Sequence, residues 1–141
     1  MVMSDSELQE RLTAAARLEG AHLTCALYEI VDELEKSRAG MSAVRTILTF
    51  MADNPEVDFG VPGPLVQFVE SIEGYQAELH ASLARRPTDH TVWMLHRILN
   101  VTDNIGERER LLMLLEAAGN HPLADEGAKL AVERFLEYQG R

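Results

Sequence analysis

A single cysteine, Cys25, stands in this 141-residue chain. No intramolecular disulfide can form, and a reducing, cytoplasmic setting is the expectation. No run of about 18 apolar residues occurs, which excludes an ordinary membrane-spanning helix. The opening stretch MVMSDSELQE has neither a basic n-region nor an apolar h-region, so no secretory leader is expected. Positive charge is also scarce: 13 Lys and Arg stand against 23 Asp and Glu. A net charge of −10 disfavours nucleic acid and anionic membranes as direct partners. It suits a basic protein partner, although acidity of this size also serves plain solubility.

The chain also lacks the short motifs that carry chemistry. There is no HExxH, CxxC or GxSxG. The glycine-proline stretch DFGVPGPLVQFVE, residues 58–70, has the turn that could open a phosphate site. It has no Lys or Ser/Thr where a phosphate and its magnesium need them, and the nearby carboxylates would repel the phosphate. It reads as a hinge, in which Gly60 and Gly63 permit φ > 0 or a close approach, and Pro62 and Pro64 stiffen the turn. His90 and His96 are six apart and cannot chelate from one helix. His121 and Asp125 straddle a helix start without further ligands. Cys25 falls beside acids, which raise rather than lower a thiol pKa. No catalytic residue, metal or cofactor is assigned.

What is present is helical periodicity. Ser4 and Glu7 form a capping-box pattern opening a helix to about Leu18. Leu23, Leu27, Ile30 and Leu34 mark a second helix, with Gly40 as its C-cap and Ser42 as the next N-cap. Val44, Ile47, Leu48 and Met51 mark a third, which the segment ADNPE stops. Pro64 opens a fourth carrying Leu65, Phe68, Val69 and Ile72. Tyr75, Leu79 and Leu83 face one way on a fifth, and Ala77, Ala81 and Ala84 the other, where a neighbouring backbone could approach. Thr88 caps a sixth, nearly apolar all round and closed by Asn100, with Trp93 expected in the core. Leu111, Leu114, Leu115 and Ala118 define a seventh, and Pro122 begins an eighth with Ala124, Ala128, Ala131 and Phe135. The pattern predicts one all-α domain, 1–141, of seven to eight helices in stacked antiparallel hairpins. A faint self-similarity at about 33 residues points to a short HEAT-like solenoid.

The acids are uneven. Between Arg45 and Arg85 lie Asp53, Glu56, Asp58, Glu70, Glu73 and Glu78, with no Lys or Arg among them. Connectors on one edge of a hairpin stack would gather Asp53, Glu56, Asp58, Glu73 and Glu78 into a negative surface for a partner, unless a distant arginine folds back onto it.

Two stretches together, DFGVPGPLVQFVE and RRPTDHTVWMLHRILN, resemble small all-helical immunity proteins of bacterial polymorphic toxin systems. Leu65, Val66, Phe68, Val69 and Glu70 match one family pattern; Trp93, Arg97, Ile98, Leu99 and Asn100 match the other. Gln67 stands where the pattern carries a histidine. The similarity spans residues 42–136. It implies a HEAT-like fold and a non-enzymatic task, binding and blocking a cognate toxin such as a nuclease. Glu70 and Arg97, one from each motif, are expected near each other. Two other readings stay open from sequence: a small helical enzyme whose carboxylate or histidine pocket forms only on folding, and a helical-repeat adaptor. The sequence does not set the oligomeric state.

Overall fold

The computed structural model describes residues 3–60 and 62–141; Val61, within the glycine-proline hinge, lies outside the described residues. Among these residues there are eight α-helices and no strand, as the periodicity predicts. The chain divides into two units, one running to Glu78 and the other Leu79–Arg141. The division falls inside a helix.

The first unit holds α1 (Asp5–Ala15), α2 (Gly20–Lys36), α3 (Met41–Asp53), α4 (Pro64–Ser71) and the first turn of α5 (Tyr75–Arg85). Helix α1 packs on α2 and α3, and α4 packs on α2 and α3, so two helix pairs lie one against the other. The expected apolar rows are the core: Leu23, Leu27, Ile30 and Leu34 of α2 and Val44, Ile47, Leu48 and Met51 of α3 are all buried. The Ser4 hydroxyl accepts the Glu7 N–H at 3.1 Å, one half of the expected capping box.

Two caps differ from expectation. Gly40 precedes α3 as its N-cap, and Ser42 lies within α3, its hydroxyl 2.6 Å from the Asp5 carboxylate oxygens. Helix α2 instead ends on Arg38, which takes the left-handed conformation at φ +54°. Paired bonds from Ala39 N–H to Leu34 O (2.9 Å) and from Arg38 N–H to Glu35 O (3.1 Å) close that turn. This is the geometry in which glycine is usual, because a Cβ is crowded there.

The hinge between α3 and α4 buries more than its composition suggests. Phe59 is only 1% exposed, and its ring meets Phe50 edge-on at 6.1 Å. Burying such a ring stabilises by about 1.5–3 kcal/mol, and the aromatic pair adds about 0.5–1.5. The backbone turns sharply to seat it. Gly60 has φ +91°, its N–H donating to the Asp58 carboxylate at 3.0 Å. Gly63 lies so close that a Cβ there would sit 1.5 Å from the Phe59 carbonyl oxygen. Pro64 then occupies the first position of α4, where its missing N–H costs nothing.

The second unit holds the rest of α5, with α6 (Asp89–Asn100), α7 (Ile105–Gly119) and α8 (Glu126–Tyr138). Helices α6, α7 and α8 each pack on the other two. Thr88 and Thr91 form a reciprocal capping box at the start of α6. Asn104 and Asp125 cap α7 and α8 through their side chains, so α8 begins after Asp125 and not at Pro122. The core draws on Val92, Leu95 and Leu99 of α6, Leu111 and Leu115 of α7, and Ala128 and Val132 of α8.

Two side-chain expectations are corrected. Trp93 is half-buried, not core; Met94, Leu95 and Leu99 take the buried positions of α6, and the Arg97 guanidinium lies 4.9 Å over the Trp93 ring. Ala77, Ala81 and Ala84 of α5 are exposed, while Tyr75, Leu79 and Leu83 turn inward as expected.

Two substitutions probe this backbone by denaturant unfolding. Gly63→Ala is expected to destabilise by about 2 kcal/mol or more, because the methyl overlaps a fixed carbonyl. Wild-type stability in that variant would refute the close turn. Arg38→Gly is expected to stabilise by about 0.5–1 kcal/mol by removing the left-handed penalty.

Candidate partner-binding surface

Charge is divided as sharply as the fold. Through Glu78 there are 14 Asp and Glu against 5 Lys and Arg; from Leu79 on there are 9 against 8. The first unit therefore carries nine of the net ten negative charges. Among the described residues, exposed large apolar side chains divide the other way: Val101, Ile105, Met113, Leu123, Leu130 and Tyr138 are in the second unit, and Leu18 and Tyr28 in the first.

The acids expected to form one negative edge are only partly brought together. Asp53 and Glu56 line an open groove of about 560 Å³ between α1 and α3. Arg17 and Arg45 line the same groove, so its charge is mixed. Arg45 is the arginine that folds back. Its Nη2 and Nε donate to the two Glu78 oxygens at 2.8 and 3.2 Å, and these hydrogen bonds hold the Glu78 carboxyl below the usual carboxylate range. Asp58 shapes the hinge by accepting the Gly60 N–H. Glu73 is exposed beside Gly74. The expectation of an edge without a base is thus corrected: Glu78 is paired, Asp58 serves the turn, and Glu56 and Glu73 remain as outward acids.

Glu70 is half-buried on α4 of the first unit, and Arg97 half-buried on α6 of the second. Asn100 closes α6 as expected, its Oδ1 accepting from the Gln139 amide at 3.0 Å. A second, smaller groove of about 200 Å³ runs between α2 and α4, with Tyr28 and Glu35 on one side and Gln67 on the other. Sequence reasoning passed over it. The signal was Tyr28, Asp32 and Glu35 at i, i+4 and i+7, one face of α2.

His121 and Asp125 serve the ends of helices. His121 Nε2 lies 2.7 Å from the Ala84 carbonyl near the end of α5, and its Nδ1 accepts the Leu123 N–H at 3.0 Å. Asp125 accepts the Ala128 N–H at 2.8 Å as the cap of α8. Both are engaged in capping. Among the described residues no group of three or more His, Cys, Asp or Glu is arranged to hold a metal. Cys25 is exposed.

His96 has the most elaborate setting. It is buried on α6, stacked on Phe135 at 4.1 Å and met edge-on by Tyr138 at 5.3 Å. The Gln139 amide nitrogen donates to its Nε2 and to Asn100 Oδ1, both at 3.0 Å, while Arg108 donates to Gln139 Oε1 at 2.6 Å. The amide has only two hydrogens and both are used, so Nε2 is an acceptor and the ring is neutral with its proton on Nδ1. Arg108 also donates to the Leu99 and Thr102 carbonyls at 2.7 and 3.0 Å, tying α7 to the end of α6 and the turn after it. Burial holds the His96 pKa below its ordinary 6.5. Burial and then the nearby Arg110 lower that of His80, whose Nε2 is buried without a hydrogen-bond partner among the described residues.

No protein-family model, curated protein or solved structure matches the chain.

The two lowered histidines set a pH dependence. The unfolded chain binds their protons first, so their neutral-state stability is complete above pH 6.5 and is lost as pH falls through and below that value. The denaturant midpoint is expected to drop between about pH 7 and about pH 5. By NMR the His96 ring is expected to titrate with a midpoint below 6.5; a midpoint at or above it would reject the neutral acceptor.

Proposed function

We propose that the chain is a non-enzymatic protein-binding domain of the immunity type, which binds and occludes a basic toxin domain from the same lineage. The single observation that carries this reading is the charge division, with nine of the net ten negative charges in the first unit. A surface field of this size accelerates encounter with an oppositely charged protein and fixes its approach. A nuclease fits as target, because its own phosphate-binding Lys and Arg make the complementary field. The resemblance of residues 58–70 and 85–100 to immunity proteins supports the same reading. The block is steric and electrostatic, needing no reaction on this chain.

The experiment takes a toxin-like domain encoded beside this chain and measures association and inhibition. Equimolar chain is expected to abolish the toxin's activity, and association is expected to slow about tenfold or more between about 50 mM and about 500 mM salt. Reversing Glu56 and Glu73 to Lys together is expected to slow association at low salt with the helix content unchanged. This pair leaves the Asp58 turn and the Arg45–Glu78 bridge intact. Association rates independent of salt, for wild type and variant alike, would reject electrostatic steering.

A further inference from the structure

We infer that His96, Gln139 and Arg108 form a proton-operated latch, in which a proton on His96 Nε2 releases residues 139–141 from the end of α6. The Gln139 amide is held from both sides. Its nitrogen gives one hydrogen to His96 Nε2 and the other to Asn100 Oδ1, while its Oε1 accepts from Arg108 at 2.6 Å. A second proton on the ring turns Nε2 into a donor and sets it against the amide N–H. Rotating the amide does not remove the conflict. Oε1 then accepts from the imidazolium, but the NH2 group meets the Arg108 guanidinium, donor against donor. Arginine keeps its charge as the ring titrates, so it fixes the direction of the amide. Either orientation of the charged state loses one hydrogen bond at a part-buried site.

The surroundings decide which partner yields. Phe135 of α8 stacks on the ring at 4.1 Å, and an aromatic face tolerates a cation. Tyr138 of α8 meets the ring edge-on, and Arg108 of α7 stands beyond the shared amide; Asn100, on the same helix as His96, is neutral. No carboxylate pairs with the ring among the described residues, so nothing there offsets its charge, in keeping with a pKa lowered by burial. Arg108 is also held by the Leu99 and Thr102 carbonyls, so α7 stays on α6 when the amide leaves. Gln139 is the partner that yields. It lies just past the end of α8, with Gly140 after it in the left-handed region at φ +79°. Arg141 then ties the segment to α7 through Glu109 and Glu116 at 2.7 and 3.0 Å, ion pairs open to solvent. The closed form needs a neutral ring and the open form frees Nε2 to take a proton, so acid favours opening. Between the two pKa values the opening constant rises by up to about tenfold per pH unit. The latch lies within the second unit and needs no partner.

The test follows the full isotope-labelled chain by NMR between about pH 7.5 and about pH 5. Hydrogen bonds from Arg141 hold the Glu109 carboxyl below the usual range, so that ion pair does not titrate with the ring. The His96 ring, the Gln139 side-chain amide and the backbone amides of residues 139–141 are expected to shift with one midpoint. The heteronuclear NOE of residues 139–141 is expected to fall on the acid side, with α6 and α7 keeping their order. Gln139→Glu supplies a carboxylate that accepts from the charged ring and from Arg108 alike. It is expected to raise the His96 midpoint by about one pH unit or more and to keep residues 139–141 ordered in acid. A segment that stays ordered while His96 titrates would overturn the latch. So would loosening with a midpoint other than that of His96, equal loosening in Gln139→Glu, or a ring that does not titrate in this range.

Discussion

The first unit depends on the approach of the Gly63 backbone to the Phe59 carbonyl, so close that no side chain fits between. That contact turns the connector between α3 and α4 back on itself and drives Phe59 into the core against Phe50. It also fixes where Pro64 starts α4, and hence where Val66, Phe68 and Val69 meet the core. A longer or looser turn would release both the ring and the helix register. The glycines and prolines here are the backbone geometry by which an apolar anchor is delivered from a loop, and the local electrostatics give no reason to read them as a ligand cradle.

The second unit has its own organising group, the Gln139 amide. One side chain saturates His96 and Asn100 of α6 and receives Arg108 of α7, so residues on or beside three helices share one polar junction. The bonds to His96 and Arg108 are part-buried, where directional hydrogen bonds favour one arrangement of the helices that supply them. Both units are held by apolar burial; the first lies under an acidic exterior, and the second adds this polar junction and carries a nearly charge-balanced surface with exposed apolar side chains.

Helix number and helix faces were legible because periodicity reports directly on burial. Leu23, Leu27, Ile30 and Leu34 needed no tertiary information to be placed. Caps were legible where the capping side chain stood beside an apolar start, as at Ser4 and Thr88. They were misread where local rules compete. Glycine preference favoured Gly40 at the end of α2, but the chain turned two residues earlier at Arg38, and Asp125 outweighed Pro122 in starting α8. Trp93 shows why burial depth resists such reading. On a helix apolar nearly all round, size does not say which face turns inward, and the smaller Met94, Leu95 and Leu99 take the core. The candidate surface was legible only as a deficit of bases. That Arg45 reaches 33 residues along the chain to Glu78 is a tertiary fact with no local signature.

The seating of Phe59 also bears on how the chain is degraded. Proteases engage extended segments that pull free of the surface, and long connectors are their usual entry points. The α3–α4 connector is long enough to serve, yet its centre is anchored by a buried ring and its ends are set by a helix cap and a proline. Cleavage there requires the anchor to leave the core, a sub-global opening of the first unit. The α6–α7 connector has no buried ring to anchor it: Val101 is 80% and Ile105 84% exposed, and Arg108 holds it instead through the Leu99 and Thr102 carbonyls. A segment whose glycines and prolines suggest an easy point of cleavage is thus tied, at Phe59, to the opening of the first unit's core.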